Sequence, residues 1–164
     1  MGYPTELLKE NYRIVVFFYN PNIFPEEEYI RRRDELIRYC EEQEYEYIIG
    51  EYEPEKWYAY INGLEQEPEK GLRCNKCFEY RLNEAAKKTA ELGIDIFTTT
   101  LTVSPHKISQ NIFAEGEKAA HNYNINFLAQ DFKKQNGFLK TMEIAKKNEF
   151  YRQQYCGCEF SIRK

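Results

Sequence analysis

Arg13-Ile14-Val15-Val16-Phe17-Phe18-Tyr19 is a continuous apolar run, and it stops at Asn20-Pro21-Asn22. A run that is apolar on both alternating faces has to be covered on both, which is the habit of strands in parallel sheets, and Asn-Pro-Asn is a turn at its carboxyl end. Pro25-Glu26-Glu27-Glu28 then opens a helix. Proline fits a first helical position, and the acids face the positive end of the helix dipole. Tyr29, Ile30, Leu36, Ile37 and Cys40 supply the apolar stripe, while Arg31, Arg32 and Arg33 cross the other faces. Residues 45–49 read as a second strand, so the opening unit is strand, helix, strand.

The alternation continues outward from there. A short helix is expected over 54–61, an acidic loop over 65–71, and a longer helix over 73–92 that Gly93 caps. The β-branched run 94–101 reads as a third strand, and residues 102–107 as a loop. A helix over 108–121, a short strand at 126–128, a helix over 141–148 and a cysteine-bearing tail complete the chain. Strands alternating with helices imply a mostly parallel sheet covered on both faces, an α/β three-layer sandwich of Rossmann-like type. In such sheets ligands bind beyond the carboxyl ends of the strands. Asn20-Pro21-Asn22, the loop after Glu51 and the segment from Thr100 to Lys107 fall at those ends.

With 164 residues, 42% hydrophobic and 30% charged, the chain has the size and composition of one globular domain over 1–164. No apolar run approaches a membrane span, and Met1-Gly2-Tyr3-Pro4-Thr5-Glu6 has no signal-peptide pattern, so the expectation is a cytoplasmic protein with no membrane partner. The net charge is −4, yet it is uneven: residues 1–105 carry 13 Lys and Arg against 21 Asp and Glu, and residues 106–164 carry 10 against 6. A positive carboxyl-terminal third can face a polyanion, or be an ordinary solvated surface.

Four of the five cysteines sit in two tight pairs, Cys74-Asn75-Lys76-Cys77 and Cys156-Gly157-Cys158. Outside a secreted disulfide framework, such pairs indicate metal ligation or thiol redox chemistry. Cys74 and Cys77 fall on nearly one face at a helix start, close to unpaired N–H groups and to Arg73, Lys76 and Arg81, which favours the thiolate that binds metal. A disulfide across a single glycine is strained and easily cycled, so Cys156 and Cys158 can act as an electron relay. They can equally complete a Cys₄ zinc or iron–sulfur site with Cys74 and Cys77. Cys40, inside an amphipathic helix, reads as a small core hydrophobe.

Two more segments carry binding chemistry. Thr99-Thr100-Leu101-Thr102-Val103-Ser104-Pro105-His106-Lys107 offers hydroxyls and one cation at a strand end, so Thr100, Ser104 and Lys107 are candidates for holding an anion or a sugar. Tyr151-Arg152-Gln153-Gln154-Tyr155 mixes aromatics with Arg and Gln, and Tyr151 and Arg152 suit stacking and hydrogen bonding to a base.

Taken together, Phe17-Phe18-Tyr19-Asn20-Pro21-Asn22-Ile23, Glu69-Lys70-Gly71-Leu72-Arg73-Cys74-Asn75-Lys76-Cys77-Phe78, Tyr80-Arg81-Leu82, Thr100-Leu101 through Ser104-Pro105-His106-Lys107, and Tyr151-Arg152-Gln153-Gln154-Tyr155-Cys156-Gly157-Cys158 resemble the cobalamin-independent epoxyqueuosine reductases. The resemblance runs in order from about residue 13 to 161. It implies reduction of epoxyqueuosine to queuosine in the tRNA anticodon, the last step of queuosine biosynthesis, with electrons from an external donor. It also implies a [4Fe–4S] cluster with a second iron beside it, Cys74 and Cys77 as cluster ligands, Cys156 and Cys158 as the redox-active pair, and a fold of the nucleotide α-hydrolase type. In one respect the chain departs from that pattern. Family members begin with an apolar strand, an adjacent Cys-Cys pair and a nearby Asp. Here residues 5–11 read as the helix that should follow them, so the expectation is either an amino-terminally truncated chain or a protein that has lost the standard cluster. The competing expectation is a non-catalytic module in which the four paired cysteines hold one zinc and the fold binds RNA or a partner.

Overall fold

The computed structural model describes residues 1–162. It contains helices α1 (Gly2–Leu8), α2 (Glu26–Glu42), α3 (Pro54–Tyr60), α4 (Leu72–Glu91), α5 (Ser109–Asn122) and α6 (Gly137–Lys147), and strands β1 (Val15–Phe18), β2 (Glu46–Ile49), β3 (Ile96–Phe97) and β4 (Asn126–Phe127). The architecture is α/β, and the strands pair in parallel as the sequence pattern requires. The described strands form two sheets of two strands each. In one, Val15 faces Glu46 and Phe18 faces Ile49. In the other, Ile96 faces Asn126 and Phe97 faces Phe127. A helix crosses over between the strands of each pair, α2 in the first and α5 in the second.

The chain divides into two compact units, residues 1–58 with the chain from 140 onward, and residues 59–139. In the first, Phe18, Ile23 and Tyr29 form a buried cluster flanked by Leu36, Ile49 and Tyr52. Tyr29 and Tyr52 stack with ring centroids 3.9 Å apart, and the Tyr52 hydroxyl donates to the Ile23 carbonyl at 2.7 Å. The apolar end of β1 is thereby covered, and Asn20-Pro21-Asn22 leaves it at a fixed point. Cys40 is fully buried on α2, where desolvation and the neighbouring Glu41 push its thiol up to about 11, the inert core cysteine expected from its spacing. Pro25 stands one residue earlier than its expected place, at the helix boundary rather than on the first turn.

In the second unit, Phe78, Leu82 and Ala86 of α4 close on Ile112 and Ala119 of α5, with Cys74, Phe97, Leu101, Tyr123 and Ile125 packed around them. The carboxyl end of α4 is a Schellman turn. The Gly93 N–H reaches the Ala90 carbonyl and the Ile94 N–H the Thr89 carbonyl, both at 3.0 Å, with Gly93 at φ +67°. The run expected as a strand over 94–101 pairs only at Ile96 and Phe97. Beyond it, Thr100–Val103 coils into a 3-10 turn whose start is capped by the Thr99 hydroxyl, which accepts from the Leu101 N–H at 3.2 Å.

Candidate redox site

Cys74 and Cys77 sit on the first two turns of α4, and no disulfide joins them. Three contacts fix that helix start. The Glu67 carboxylate accepts from the Leu72 N–H at 3.1 Å, taking one of the N–H groups that a helix start leaves without an internal partner. Arg73, 2% exposed, donates to the carbonyls of Glu65 at 3.0 Å, Leu64 at 3.4 Å and Glu67. Its guanidinium therefore ties the acidic loop to the helix, a structural task beyond the local positive charge that the sequence pattern suggests. The third contact reaches a thiol: the Lys70 N–H points at Cys74 Sγ, 3.2 Å away. Backbone N–H groups aimed at sulfur stabilise thiolate ligands in iron–sulfur sites. Lys76 is bonded to Glu79 at 2.6 Å and lies over the Tyr60 ring.

The pair therefore fits as part of a thiolate cluster site. Two thiolates are what it can offer a metal, and the described residues contain no group of three or more His, Cys, Asp and Glu placed to hold a metal ion.

The hydroxyl-rich segment belongs to the same unit. Its side chains are partly spent on its own shape. The Thr102 hydroxyl, fully buried, donates to the Gln130 carbonyl at 2.8 Å and accepts from the Phe132 N–H at 3.3 Å. Ser104 Oγ accepts from the His106 N–H at 3.3 Å. Thr100 is exposed, and Lys107 lies with its ammonium 5.9 Å from the centre of the Phe78 ring.

Tyr151, Arg152, Cys156 and Cys158 belong to the other unit, on an irregular tail that lies along α2. No disulfide joins Cys156 and Cys158, the first half-buried and the second buried. Arg32 holds this tail. Its Nη1 donates to the Cys156 carbonyl at 3.1 Å and its Nη2 to the Tyr155 carbonyl at 3.2 Å, while Nε donates to Glu28 at 2.7 Å. The guanidinium also lies over the Tyr155 ring, 5.2 Å from its centre. The second oxygen of Glu28 accepts from the Tyr151 hydroxyl at 3.0 Å, and Arg31 lies over the Tyr151 ring. Gly157 has φ +135°, and its carbonyl accepts from the Phe24 N–H at 2.9 Å. A Cβ there would meet Ile23, Arg32 and Asn22 at 3.1 to 3.2 Å, so the turn requires glycine for both conformation and space. Asn22, 3% exposed, keeps its side-chain oxygen without a hydrogen-bond partner beside this turn.

The sequence pattern puts Arg32 on an outer face of α2. In the structure its side chain is 11% exposed and faces the tail. Tyr151, expected to stack on a base, has its hydroxyl committed to Glu28. Arg152 is exposed, with its guanidinium 3.9 Å from Met142 Sδ.

The family model of epoxyqueuosine reductase QueH matches residues 1–164. The chain belongs to that reductase family. It is 40% identical over 149 residues to the epoxyqueuosine reductase QueH of Acinetobacter baylyi, covering 90% of this chain and 68% of that protein. The namesake from Streptococcus pyogenes serotype M1 is 38% identical over 167 residues, covering 98% and 66%. That from Histophilus somni is 38% identical over 149 residues, covering 90% and 61%. The chain thus spans about two thirds of the length of these curated relatives. No helix among the described residues is long and apolar enough to cross a membrane.

Proposed function

We propose that this chain carries out the reduction of epoxyqueuosine to queuosine in tRNA, in the cytoplasm and on the family's Rossmann-like α/β frame. The observation that supports this most is the family match over the whole chain, together with two built cysteine pairs, one on a helix start and one on a glycine turn. In this reading the oxygen of the epoxide leaves as water and an alkene remains, which takes two electrons and two protons. Cys156 and Cys158 supply the same count when their two thiols become one disulfide, and an external reductant of the thiol class restores them. Cys74 and Cys77 would hold two corners of a [4Fe–4S] cluster. When bound, that cluster and a neighbouring iron supply electron transfer and Lewis acidity. Thr100, Ser104 and Lys107 would contact sugar or phosphate, and Tyr151 and Arg152 would border the base.

Anaerobic reconstitution with iron and sulfide, followed by incubation with tRNA bearing epoxyqueuosine and a dithiol reductant, tests the reading. Queuosine should accumulate in the nucleoside digest. Cys156→Ser should retain the bound iron and lose turnover. Iron loss in proportion to activity would make Cys156 a ligand instead, and full multiple turnover by the variant would remove the redox assignment.

A further inference from the structure

Arg32 makes three kinds of contact, and two of them, to backbone carbonyls and to the Tyr155 ring, fall on the residues that precede Gly157. Its two terminal nitrogens take consecutive carbonyls, Tyr155 and Cys156. Its Nε is anchored by Glu28, and the two side chains are 11% and 8% exposed. Its planar face covers the Tyr155 ring, whose hydroxyl in turn donates to the Phe24 carbonyl. A guanidinium with several donors in one plane can grip two adjacent carbonyls in a way that a lysine ammonium cannot. On the far side of the glycine, the Phe24 N–H holds the Gly157 carbonyl. The peptide units that join Cys156 to Cys158 are thus clamped on both sides, with no disulfide joining the two sulfurs. These hydrogen bonds are made with the two sulfurs unbonded, and a disulfide closed across a single glycine forms a small strained ring whose backbone geometry competes with them.

We infer that Arg32 is a positioning residue for the Cys156-Gly157-Cys158 turn: it holds the turn in its dithiol geometry and so keeps the pair readily reducible. This rests on the proposal that the two cysteines cycle between dithiol and disulfide. Whatever binds the reduced form preferentially makes a pair a stronger oxidant, because re-reduction recovers those contacts. Glu28 acts one step further back, by fixing the guanidinium.

The test needs neither cluster nor tRNA. The full chain is equilibrated anaerobically with mixtures of reduced and oxidised glutathione. The fraction of the Cys156–Cys158 disulfide is then read by mass spectrometry of the acid-quenched, alkylated peptide. In this exchange the two cysteine thiols give two electrons and two protons to oxidised glutathione, which leaves as two thiols. Arg32→Lys should raise the equilibrium constant for disulfide formation about tenfold, the scale expected when charge-assisted hydrogen bonds are lost. Glu28→Gln, which leaves Arg32 in place, should shift it in the same direction by less and serves if the first variant fails to fold. Arg38→Gln removes an arginine of the same helix that bonds the Asn148 carbonyl but not the turn, and should leave the constant unchanged. Equal constants for the native chain and for the folded Arg32 and Glu28 variants would overturn the positioning role alone. A native chain that forms no Cys156–Cys158 disulfide at any glutathione ratio would overturn the redox proposal, and this inference with it.

Discussion

Cys74 and Cys77 stand on the opening turns of a twenty-residue helix, whereas Cys156 and Cys158 stand on a tail with almost no regular structure. The helix pair inherits its geometry from backbone periodicity and from an apolar cluster that includes Phe78 and Leu82. The tail pair has no such periodicity, and its geometry comes from a buried Arg32–Glu28 pair and a glycine at positive φ. A ligand pair benefits from the first kind of support, because a helix fixes two side chains relative to each other whatever they bind. A pair that must open and close is better served by the second, because hydrogen bonds to backbone carbonyls can be exchanged without unpacking a core.

The sharpest way to break this contrast is Arg32→Ala. It leaves Glu28 buried with only the Tyr151 hydroxyl and the more distant Arg31 as partners, and removing one member of a buried pair costs about 3–5 kcal/mol. The denaturant midpoint should fall accordingly, and maleimide labelling of Cys156 should accelerate while that of Cys74 stays constant. Equal acceleration at both sites would show that the two pairs share one support.

Arg73→Ala asks the same of the helix start. Three loop carbonyls lose their donor, for an expected loss of about 2–3 kcal/mol. Limited proteolysis should then open the chain within residues 64–70, and Cys74 should label faster than Cys156. Unchanged cleavage would mean that Glu67 alone caps α4.

The smallest effect expected is electrostatic. Hydrogen bonds from Lys118, and then from Lys76, hold the Glu79 carboxyl down at about 2. A carboxyl lowered in the folded state stabilises above its unfolded value, and that contribution fades as pH falls from about 4.5 through about 2. Glu79→Gln should lower the urea midpoint at neutral pH and flatten the acid side of the stability curve in that window, the two proteins converging near pH 2. An unaltered acid limb would place the proton uptake elsewhere.

The sequence is most legible where the physics is local. The apolar run ending at Asn20 announces β1, and Gly93 announces the end of α4, because an unbroken apolar run and a left-handed cap each leave a compact mark. The run over 94–101 misleads because β-branched residues favour a strand only while a neighbour continues the ladder. Thr99 and Thr102 instead use their hydroxyls to cap and anchor a turn. Both cysteine pairs are visible from spacing alone. The two arginines that hold their surroundings are not. Arg73 looks like stray charge because its partners are carbonyls, which no composition reveals. Arg32 looks like a solvated face because its partners lie 123 and 124 residues further along the chain.

That separation has a meaning during synthesis. Residues 59–139 form a continuous unit, whereas the unit holding α2 is completed only when the chain beyond 140 arrives. At about 5–20 residues per second, Glu28 and Arg32 leave the ribosome several seconds before the carbonyls and the hydroxyl they will bind. Standing one helix turn apart, the two can pair with each other in the interval, so neither charge need be buried before residues 151–156 arrive.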